Sequence, residues 1–278
     1  MNHTTDQSTR GSPRQGLTET LEAKLANPET SPEFDLHKAV NDVLGDVGLT
    51  VADAGGKLTF YGQDPIIPSR FRFGSMAAIG LAATSVAVAA LWKHRTGEGQ
   101  DVSVDVRKAL RRFCGFNEQK WNTINGRPPS AWSYAGTPFM KQPLNLRETR
   151  DGRHVMALDF YPKLRARTLN FLRCSESSES IDNAILQWRA DELETAAAEQ
   201  GLVLGMVRSN EEFRRERQYS EVLAHMPLIA IEKIGDSEPV PLSRGGKRPL
   251  DGIRAFGMGH VIAGGTIGRT LAYYGPTS

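Results

Sequence analysis

Phe71–Gln100 reads FRFGSMAAIGLAATSVAVAALWKHRTGEGQ and decides the fold of this 278-residue chain. Its residues from Met76 to Trp92 carry no charge, and about half of them are Ala or Gly. Ala is the strongest helix former, so the stretch predicts a helix. A helix that is apolar on all sides is either buried or spans a membrane. Because a membrane span needs about 20 more strongly hydrophobic residues, we interpret this segment as a buried helix of a soluble protein.

The two ends of this helix are also marked in the sequence. Lys93, His94 and Arg95 are cations that suit the negative end of a helix dipole. Thr96–Gln100 then predicts a turn, and the alternating Val residues of Asp101–Val106 predict a strand.

This combination resembles the class III CoA-transferases, the carnitine dehydratase-like family. The resemblance rests on the Ala-rich helix, its basic end, the R-T-G-E-G-Q run and the Val-rich strand. It implies transfer of coenzyme A from an acyl-CoA thioester to a carboxylic acid, with a catalytic aspartate just before the helix. That position falls at Ser75 or Met76, and no acidic residue occurs between Asp64 and Glu98. We therefore predict no catalytic residue in this chain.

The missing carboxylate matters for the implied chemistry. In the family, the aspartate attacks the thioester to give a mixed anhydride, and the released thiolate then forms an aspartyl-CoA thioester. The group must act both as nucleophile and as leaving group. A serine ester would not readily return the thiolate, and Met offers no such nucleophile, so we expect the chain alone to be inactive.

A second resemblance lies near the end of the sequence. Pro249–Arg254 reads PLDGIR and predicts a strand, and Thr266–Tyr274 predicts a helix. The loop between them, Ala255–Gly264, is rich in Gly and includes GHVIAG. In the family a similar signature forms the first strand, a loop and the first helix. The resemblance implies that His260, Val261 and Ala263 contact coenzyme A, since loop amides at a helix N-terminus favour phosphate oxygens. The dinucleotide-binding fingerprint does not fit, because it needs Gly where Ile262 stands.

This signature normally opens a chain of the family. Two explanations compete: a tandem protein cut just inside its second half, or a rearranged pseudoenzyme. We favour the first, because one strand and one helix cannot build a parallel sheet.

The predicted fold class is α/β: an incomplete class III CoA-transferase-like fold with a small α+β domain and a partial Rossmann-like unit at the C-terminus. We predict four regions. They are a disordered tail (1–33), part of the large domain with the central Ala-rich helix (34–145), the small domain (146–242), and a linker with the truncated start of a second unit (243–278).

The large-domain part should contain four further segments: a helix at Phe34–Leu44, a hairpin of Leu49–Ala52 with Lys57–Tyr61, a helix at Arg107–Thr123 and an interdomain strap at Gly126–Asn145. In the small domain we predict strands at Leu146–Arg150, His154–Phe160, Leu202–Val207 and Leu228–Ile234, the first two joined at Asp151-Gly152. Its helices should be Tyr161–Cys174, a segment capped by Ser180 that runs through Trp188, Ala190–Gln200, and one that begins with a Ser209–Glu212 capping box.

Composition argues against several kinds of partner and site. The net charge of +2 argues against nucleic acid as the main partner. Cys114 and Cys174 lie far apart without a CxxC motif, which predicts neither a disulfide nor a zinc site and fits a reducing cytoplasm. The N-terminus shows no signal-peptide pattern.

We therefore predict a cytoplasmic CoA-transferase-like protein without the catalytic Asp, or alternatively a non-catalytic CoA-binding or scaffolding partner subunit. The implied partners are acyl-CoA, a carboxylic acid, and a second copy or a second transferase-like half, with no metal, membrane or nucleic acid. A third hypothesis is a basic binding module that uses Arg107–Arg112 and Arg214–Arg217, and the modest net charge speaks against it.

Overall fold

A computed structural model describes residues 34–67, 69, 71–111, 146–157, 161–242, 246–259 and 261–275. The chain divides into two compact units, one formed by Met1–Glu118 with Pro227–Ser278 and the other by Gln119–Met226. The predictions for the tail (1–33), the strap (126–145) and Cys114 lie outside the described residues.

The first unit opens with helix α1 (Leu36–Gly45). The Asp35 side chain caps it by accepting a hydrogen bond from the Lys38 amide at 2.9 Å. Leu36, Val40 and Leu44 are buried along one face, so the predicted amphipathic helix is confirmed.

A strand–helix–strand unit forms the centre of the first unit. Strand β1 (Gly55–Tyr61), helix α2 (Phe73–Thr96) and strand β2 (Gln100–Asp105) follow in order, and the two strands pair in parallel. Leu58, Phe60, Val102 and Val104 belong to the core that also includes the buried face of α2. The central helix and the strand after it are confirmed.

The predicted hairpin before α2 is wrong. Val51–Ala54 forms a 3₁₀ turn, because Thr50 and Asp53 make a reciprocal capping box around it. Gly55 ends that turn with a φ of +71°, and β1 then pairs with β2, which lies on the far side of α2 in sequence, instead of folding back locally.

Helix α2 buries eight of its residues, all small or Val: Gly74, Ser75, Ala77, Ala78, Ala82, Ala83, Val86 and Ala89. Gly97 ends the helix with a φ of +84°, and its amide donates to the Lys93 carbonyl. Among the residues that the structure describes, α2 alone is long and apolar enough to cross a membrane by length and composition. The helix predicted after β2 begins one residue early, as α3 (Val106–Ala109), and most of its predicted length lies outside the described residues.

The strand predicted at Leu228–Ile234 is wrong. This segment has no regular secondary structure, and the side chains of Leu228, Ile231 and Ile234 are 76%, 74% and 97% exposed. Its apolar run has the composition of a strand, but none of the described strands pairs with it.

The last described part of the chain is a turn followed by a helix. The strand predicted at Pro249–Arg254 is wrong, because the Asp251 carboxylate accepts from the Lys247 and Arg248 amides and winds residues 249–252 into a turn. The predicted helix is confirmed but starts earlier, as Val261–Tyr273. The Leu250 amide donates to the Tyr274 carbonyl at 2.9 Å and closes this segment on itself.

The second unit is a three-stranded antiparallel sheet in the order β3 (Leu146–Glu148), β4 (His154–Ala157), β5 (Leu204–Met206). The hairpin at Asp151-Gly152 is confirmed. Its helices are α4 (Pro162–Leu172), α5 (Ser178–Ile185), α6 (Ala190–Glu199) and α7 (Asn210–Arg215). The C-terminal helix of the first unit, Val261–Tyr273, is therefore α8. Val155, Ile181, Ile185 and Leu193 are fully buried at the centre of the second unit.

Two helix starts in this unit were predicted from side-chain caps. The Ser209–Glu212 capping box is confirmed, with the Glu212 amide 3.1 Å from Ser209 Oγ. The cap predicted at Ser180 is wrong, because Ser177 caps α5 and accepts from the Ser180 amide.

Candidate functional site

The first candidate site is the start of helix α2, at the edge where both parallel strands end. In open α/β sheets, ligands bind outside the carboxyl ends of parallel strands. Ser75 is 3% exposed and lies in the first turn of α2. Met76 follows it and is 54% exposed. Of the two positions implied for a catalytic aspartate, Ser75 is therefore buried and Met76 is open to solvent.

A carboxylate does lie at this helix start, supplied by Asp64 from the loop before it. Its Oδ2 accepts a hydrogen bond from the Ser75 amide at 2.5 Å, and its Oδ1 accepts from the Ile66 amide at 3.2 Å. Asp64 is only 6% exposed. Both oxygens therefore point at backbone amides inside the unit.

Sequence reasoning missed this role of Asp64, because a contact across eleven positions has no helical or strand periodicity. One signal was present in the sequence: no acidic residue stands in the first turn of α2, and the residue before it, Arg72, is not of a type that caps helix starts. A helix start without a local cap needs an acceptor from elsewhere.

Gly74 makes room for this arrangement. A Cβ at this position would stand 2.7 Å from Ile66 Cδ1, 2.8 Å from Asp64 Oδ1 and 3.0 Å from Val106 Cγ1. Real Cβ atoms do not come that close to other heavy atoms, so any side chain would displace Asp64 or Ile66.

The guanidinium at the same sheet edge forms an ion pair with a carboxylate of the same chain. Arg107 donates to Asp105 through Nε at 2.8 Å and through Nη2 at 2.7 Å. The side-chain hydrogen bonds from Arg107 lower the pKa of Asp105 below its usual range. Arg107, which the basic-module hypothesis invoked, is thus already bound to a carboxylate.

The second candidate site is the loop before α8. A cavity of 440 Å³ lies between the loop and the helix, and its lining is apolar or glycine: Ala255, Phe256, Gly257, Met258, Gly259, Gly264, Gly265, Ile267, Gly268, Leu271 and Ala272. Gly259 and Gly264 approach closely, since a Cβ on Gly259 would stand 2.8 Å from Gly264 Cα.

The residues predicted for coenzyme A stand at the start of this helix. Ala263 lies in its first turn and is exposed. His260 lies outside the described residues, as does the side chain of Val261. Within the described ranges, no group of three His, Cys, Asp or Glu side chains is placed to hold a metal ion.

Comparison with known proteins gives low similarities. No protein-family model matches the sequence, and no curated protein matches it either. Among solved structures, the chain is similar to hypothetical protein Rv3272 of Mycobacterium tuberculosis, with 13% identity, a TM-score of 0.42, and coverage of 66% of this chain and 50% of that chain. An orthorhombic crystal form of Rv3272 is similar with 14% identity and a TM-score of 0.44, and the match covers 75% of this chain and 55% of that chain.

A CAIB/BAIF family protein from Brucella suis is also similar, with 14% identity, a TM-score of 0.39, and coverage of 62% of this chain and 50% of that chain. The chain spans about half the length of the solved structures that it matches. The structural neighbours thus include a CAIB/BAIF family protein at low identity and partial coverage.

Proposed function

We propose that the chain is a class III CoA-transferase-like protein that lacks the family's nucleophile. The observation that carries the proposal is the start of α2, where Ser75 and Met76 stand at the position implied for the catalytic aspartate. The R-T-G-E-G-Q run after α2 and the parallel strand β2 support the assignment to the CAIB/BAIF type.

The Asp64 carboxylate does not replace the missing nucleophile. It is 6% exposed, and backbone amides bind both of its oxygens. A nucleophile must reach the thioester carbon, and a carboxylate this buried cannot do so. We therefore assign Asp64 a positioning role and assign no catalytic residue.

Coenzyme A is proposed as the ligand of the loop before α8. The 13-residue helix presents its N-terminal amides beside an open apolar cavity, an arrangement that suits a phosphate with an attached apolar group. His260, Val261 and Ala263 are the proposed contacts. The alternative function, a non-catalytic CoA-binding or scaffolding subunit, rests on the same loop. A cytoplasmic location, and assembly with a second copy or a second transferase-like half, are part of the proposal.

The assignment to the CoA-transferases is tested by placing a carboxylate at the position implied for the missing nucleophile. Met76→Asp is the cleaner variant, because Met76 is half exposed, whereas Ser75→Asp would place a second buried carboxylate beside Asp64. Thr84→Asp is the matched control, since Thr84 is exposed two turns further along the same helix.

We expect transfer of coenzyme A from acyl-CoA to a carboxylic acid with Met76→Asp and none with Thr84→Asp. If Met76→Asp and Ser75→Asp both fold and neither shows transfer, the catalytic assignment is wrong. Isothermal titration with free coenzyme A tests the pocket separately. Loss of binding on Ala263→Glu or His260→Ala supports the CoA-binding alternative. If the unmodified protein shows no heat of binding with coenzyme A, that alternative is wrong.

A further inference from the structure

The cavity between the loop and helix α8 is lined by apolar side chains and glycines alone. It measures 440 Å³, within the range of about 300–1,000 Å³ that is usual for small-molecule sites. Its lining side chains belong to Ala, Ile, Leu, Met and Phe, and the other lining residues are Gly. A nucleotide base or a sugar would bury polar edges against these walls without side-chain partners, which is unfavourable. An aliphatic chain carries no polar groups and fits the same walls without that cost.

Glycines shape the cavity and keep it open along the helix. A Cβ at Gly264 would stand 2.7 Å from Gly259 Cα, so the loop passes the start of α8 at a distance that only glycine allows. A Cβ at Gly265 or Gly268 would meet nothing within 4 Å beyond the nearby backbone of the helix itself. The lining residues of α8 extend from Gly264 to Ala272, about 12 Å along the helix axis. This elongated lining suits an unbranched chain.

Two of the lining side chains lie at the mouth of the cavity. Phe256 is 89% exposed and Met258 is 87% exposed, although both line the cavity. An aliphatic chain bound beside them would remove part of their apolar surface from water, which is the main driving force for apolar binding. Met has a flexible, polarisable side chain that adapts to the shape of a ligand.

The charges around the cavity favour an anionic ligand. Residues 246–275 contain four Lys or Arg residues and one Asp, whereas the whole chain has a net charge of only +2. Arg254 directly precedes the lining residue Ala255, and Arg269 directly follows Gly268; both cations are exposed. An excess of positive charge next to an apolar cavity raises the local concentration of anions that carry an apolar tail.

We propose that this cavity binds the unbranched aliphatic chain of a fatty acyl group, either as the free carboxylate or as the thioester of coenzyme A. The inference deepens the proposed function, and it rests on that function for the thioester. It names the substrate class as aliphatic monocarboxylic acyl groups. Dicarboxylic and sugar-like acyl groups are disfavoured, because their distal polar groups would face apolar walls.

The test is a chain-length series with the unmodified protein. Butanoate, hexanoate, octanoate and decanoate are titrated calorimetrically at constant ionic strength. Full burial of one CH₂ group tightens Kd by about fourfold. Because the cavity is open on one side, we expect Kd to fall by at least about threefold for each added pair of CH₂ groups. A Kd that does not change with chain length would overturn the proposal.

Suberate is the matched control ligand. It has the chain length of octanoate but carries a second carboxylate at the far end, which the apolar lining cannot pair. We expect suberate to bind at least about tenfold more weakly than octanoate. Equal affinities for the two ligands would show that the cavity does not hold the chain, and the proposal would then be wrong.

A substitution that fills the cavity tests its location. Gly268→Leu places a branched side chain in the cavity and should weaken octanoate binding by at least about tenfold. Thr266→Leu is the matched control, because Thr266 is exposed on the same helix and does not line the cavity, so its affinity should equal that of the unmodified protein. Equal affinities in the two variants would contradict the proposal.

A second pair of variants applies if Gly268→Leu does not fold. Phe256→Ser removes an apolar side chain at the mouth and should weaken octanoate binding by at least about threefold. Val240→Ser is the control, since Val240 is 90% exposed and belongs to the same unit but does not line the cavity. Equal affinities in these two variants would equally contradict the proposal.

Titrations with free coenzyme A and octanoyl-CoA separate this inference from the proposed function. If coenzyme A binds, octanoate does not, and octanoyl-CoA binds no more tightly than coenzyme A, the inference about the cavity is wrong and the proposed ligand stands. If octanoate binds with the expected dependence on chain length and coenzyme A does not bind, the cavity assignment stands and coenzyme A is the wrong ligand.

Discussion

The guanidinium of Arg95 donates to the carbonyl oxygen of Asp251 at 3.0 Å and to that of Pro249 at 2.7 Å. Arg95 lies in the last turn of α2, and these bonds span 156 and 154 residues of sequence. The basic end of the helix thus does more than complement the helix dipole: it ties the turn before α8 to the centre of the first unit.

Arg95→Ala should release the segment that contains α8. A hydrogen bond that involves a charged group contributes about 1.5–3 kcal/mol to stability. Because the Arg95 side chain is only partly buried, we expect its two hydrogen bonds together to contribute about 1–2 kcal/mol. We expect amide exchange across residues 248–275 to become about tenfold faster, measured by hydrogen–deuterium exchange with mass spectrometry. His94→Ala, an exposed neighbour, is the control, and equal exchange in both variants would contradict the role of Arg95.

Gly74→Ala should destabilise the first unit, although alanine is the better helix former. Its Cβ would stand 2.7–2.8 Å from Ile66 Cδ1 and Asp64 Oδ1, so we expect a loss of about 1–3 kcal/mol in the free energy of unfolding. Gly80→Ala in the same helix is the matched control, because a Cβ added at Gly80 would meet nothing within 4 Å beyond the nearby backbone of the helix itself. That variant should gain up to about 1 kcal/mol. Urea denaturation measures both, and changes of the same sign would refute the packing argument.

Asp182→Ala should destabilise the second unit, because it removes the carboxylate that pairs with a buried cation. The side chain of Arg147 is 1% exposed and binds Asp182, which is 39% exposed. Arg147 would keep its hydrogen bonds to Ser178 in this variant, which limits the cost. We therefore expect a decrease of about 1–3 kcal/mol in the free energy of unfolding. Asp42→Ala, from an exposed pair, should cost less than about 1 kcal/mol in the same urea experiment. Equal losses would show that burial of Arg147 has no energetic effect.

Local sequence signals predicted local structure well. The Ala-rich composition of α2, the Asp151-Gly152 turn and the Ser209–Glu212 capping box each act within a few residues, and each is confirmed. Some errors were also local, since the Ser177 cap and the turn at residues 249–252 depend on contacts within four residues. Others came where distant contacts decide. An apolar run such as Leu228–Ile234 has strand composition, yet a strand also needs a partner that the sequence does not reveal.

The candidate site shows the same division. Counting along the chain put Ser75 and Met76 just before the Ala-rich helix, whereas the structure places both in the first turn of α2, which begins at Phe73. Counting did not find Asp64, because its bond to the Ser75 amide depends on how the loop between β1 and α2 folds back. Side-chain contacts across a loop carry no periodic signature.

Stability of the second unit should fall in acid through the pair of Glu194 and Arg208. The side-chain hydrogen bonds from Arg208 lower the pKa of Glu194 below its ordinary value near 4.5, against the opposing effect of burial. A carboxyl with a lowered folded-state pKa stabilises the fold fully above its unfolded value, and this stabilisation is lost as the pH falls through the folded value. We therefore expect Glu194→Gln to lower the free energy of unfolding at pH 7 by about 1 kcal/mol, since the pair is partly exposed.

The difference between this variant and the unmodified protein should be largest at pH 7 and should shrink as the pH falls below about 4.5 toward the lowered folded-state pKa of Glu194. The measurement is urea denaturation at pH 7, 5, 4 and 3. Glu192→Gln is the control, because Glu192 is exposed and lies 3.6 Å from Arg150. Other carboxyls with lowered pKa values, such as Asp105 and Asp151, are identical in all three proteins, so their acid effects cancel in the comparison. A difference between Glu194→Gln and the unmodified protein that stays constant from pH 7 to pH 3 would show that the charge of Glu194 contributes nothing.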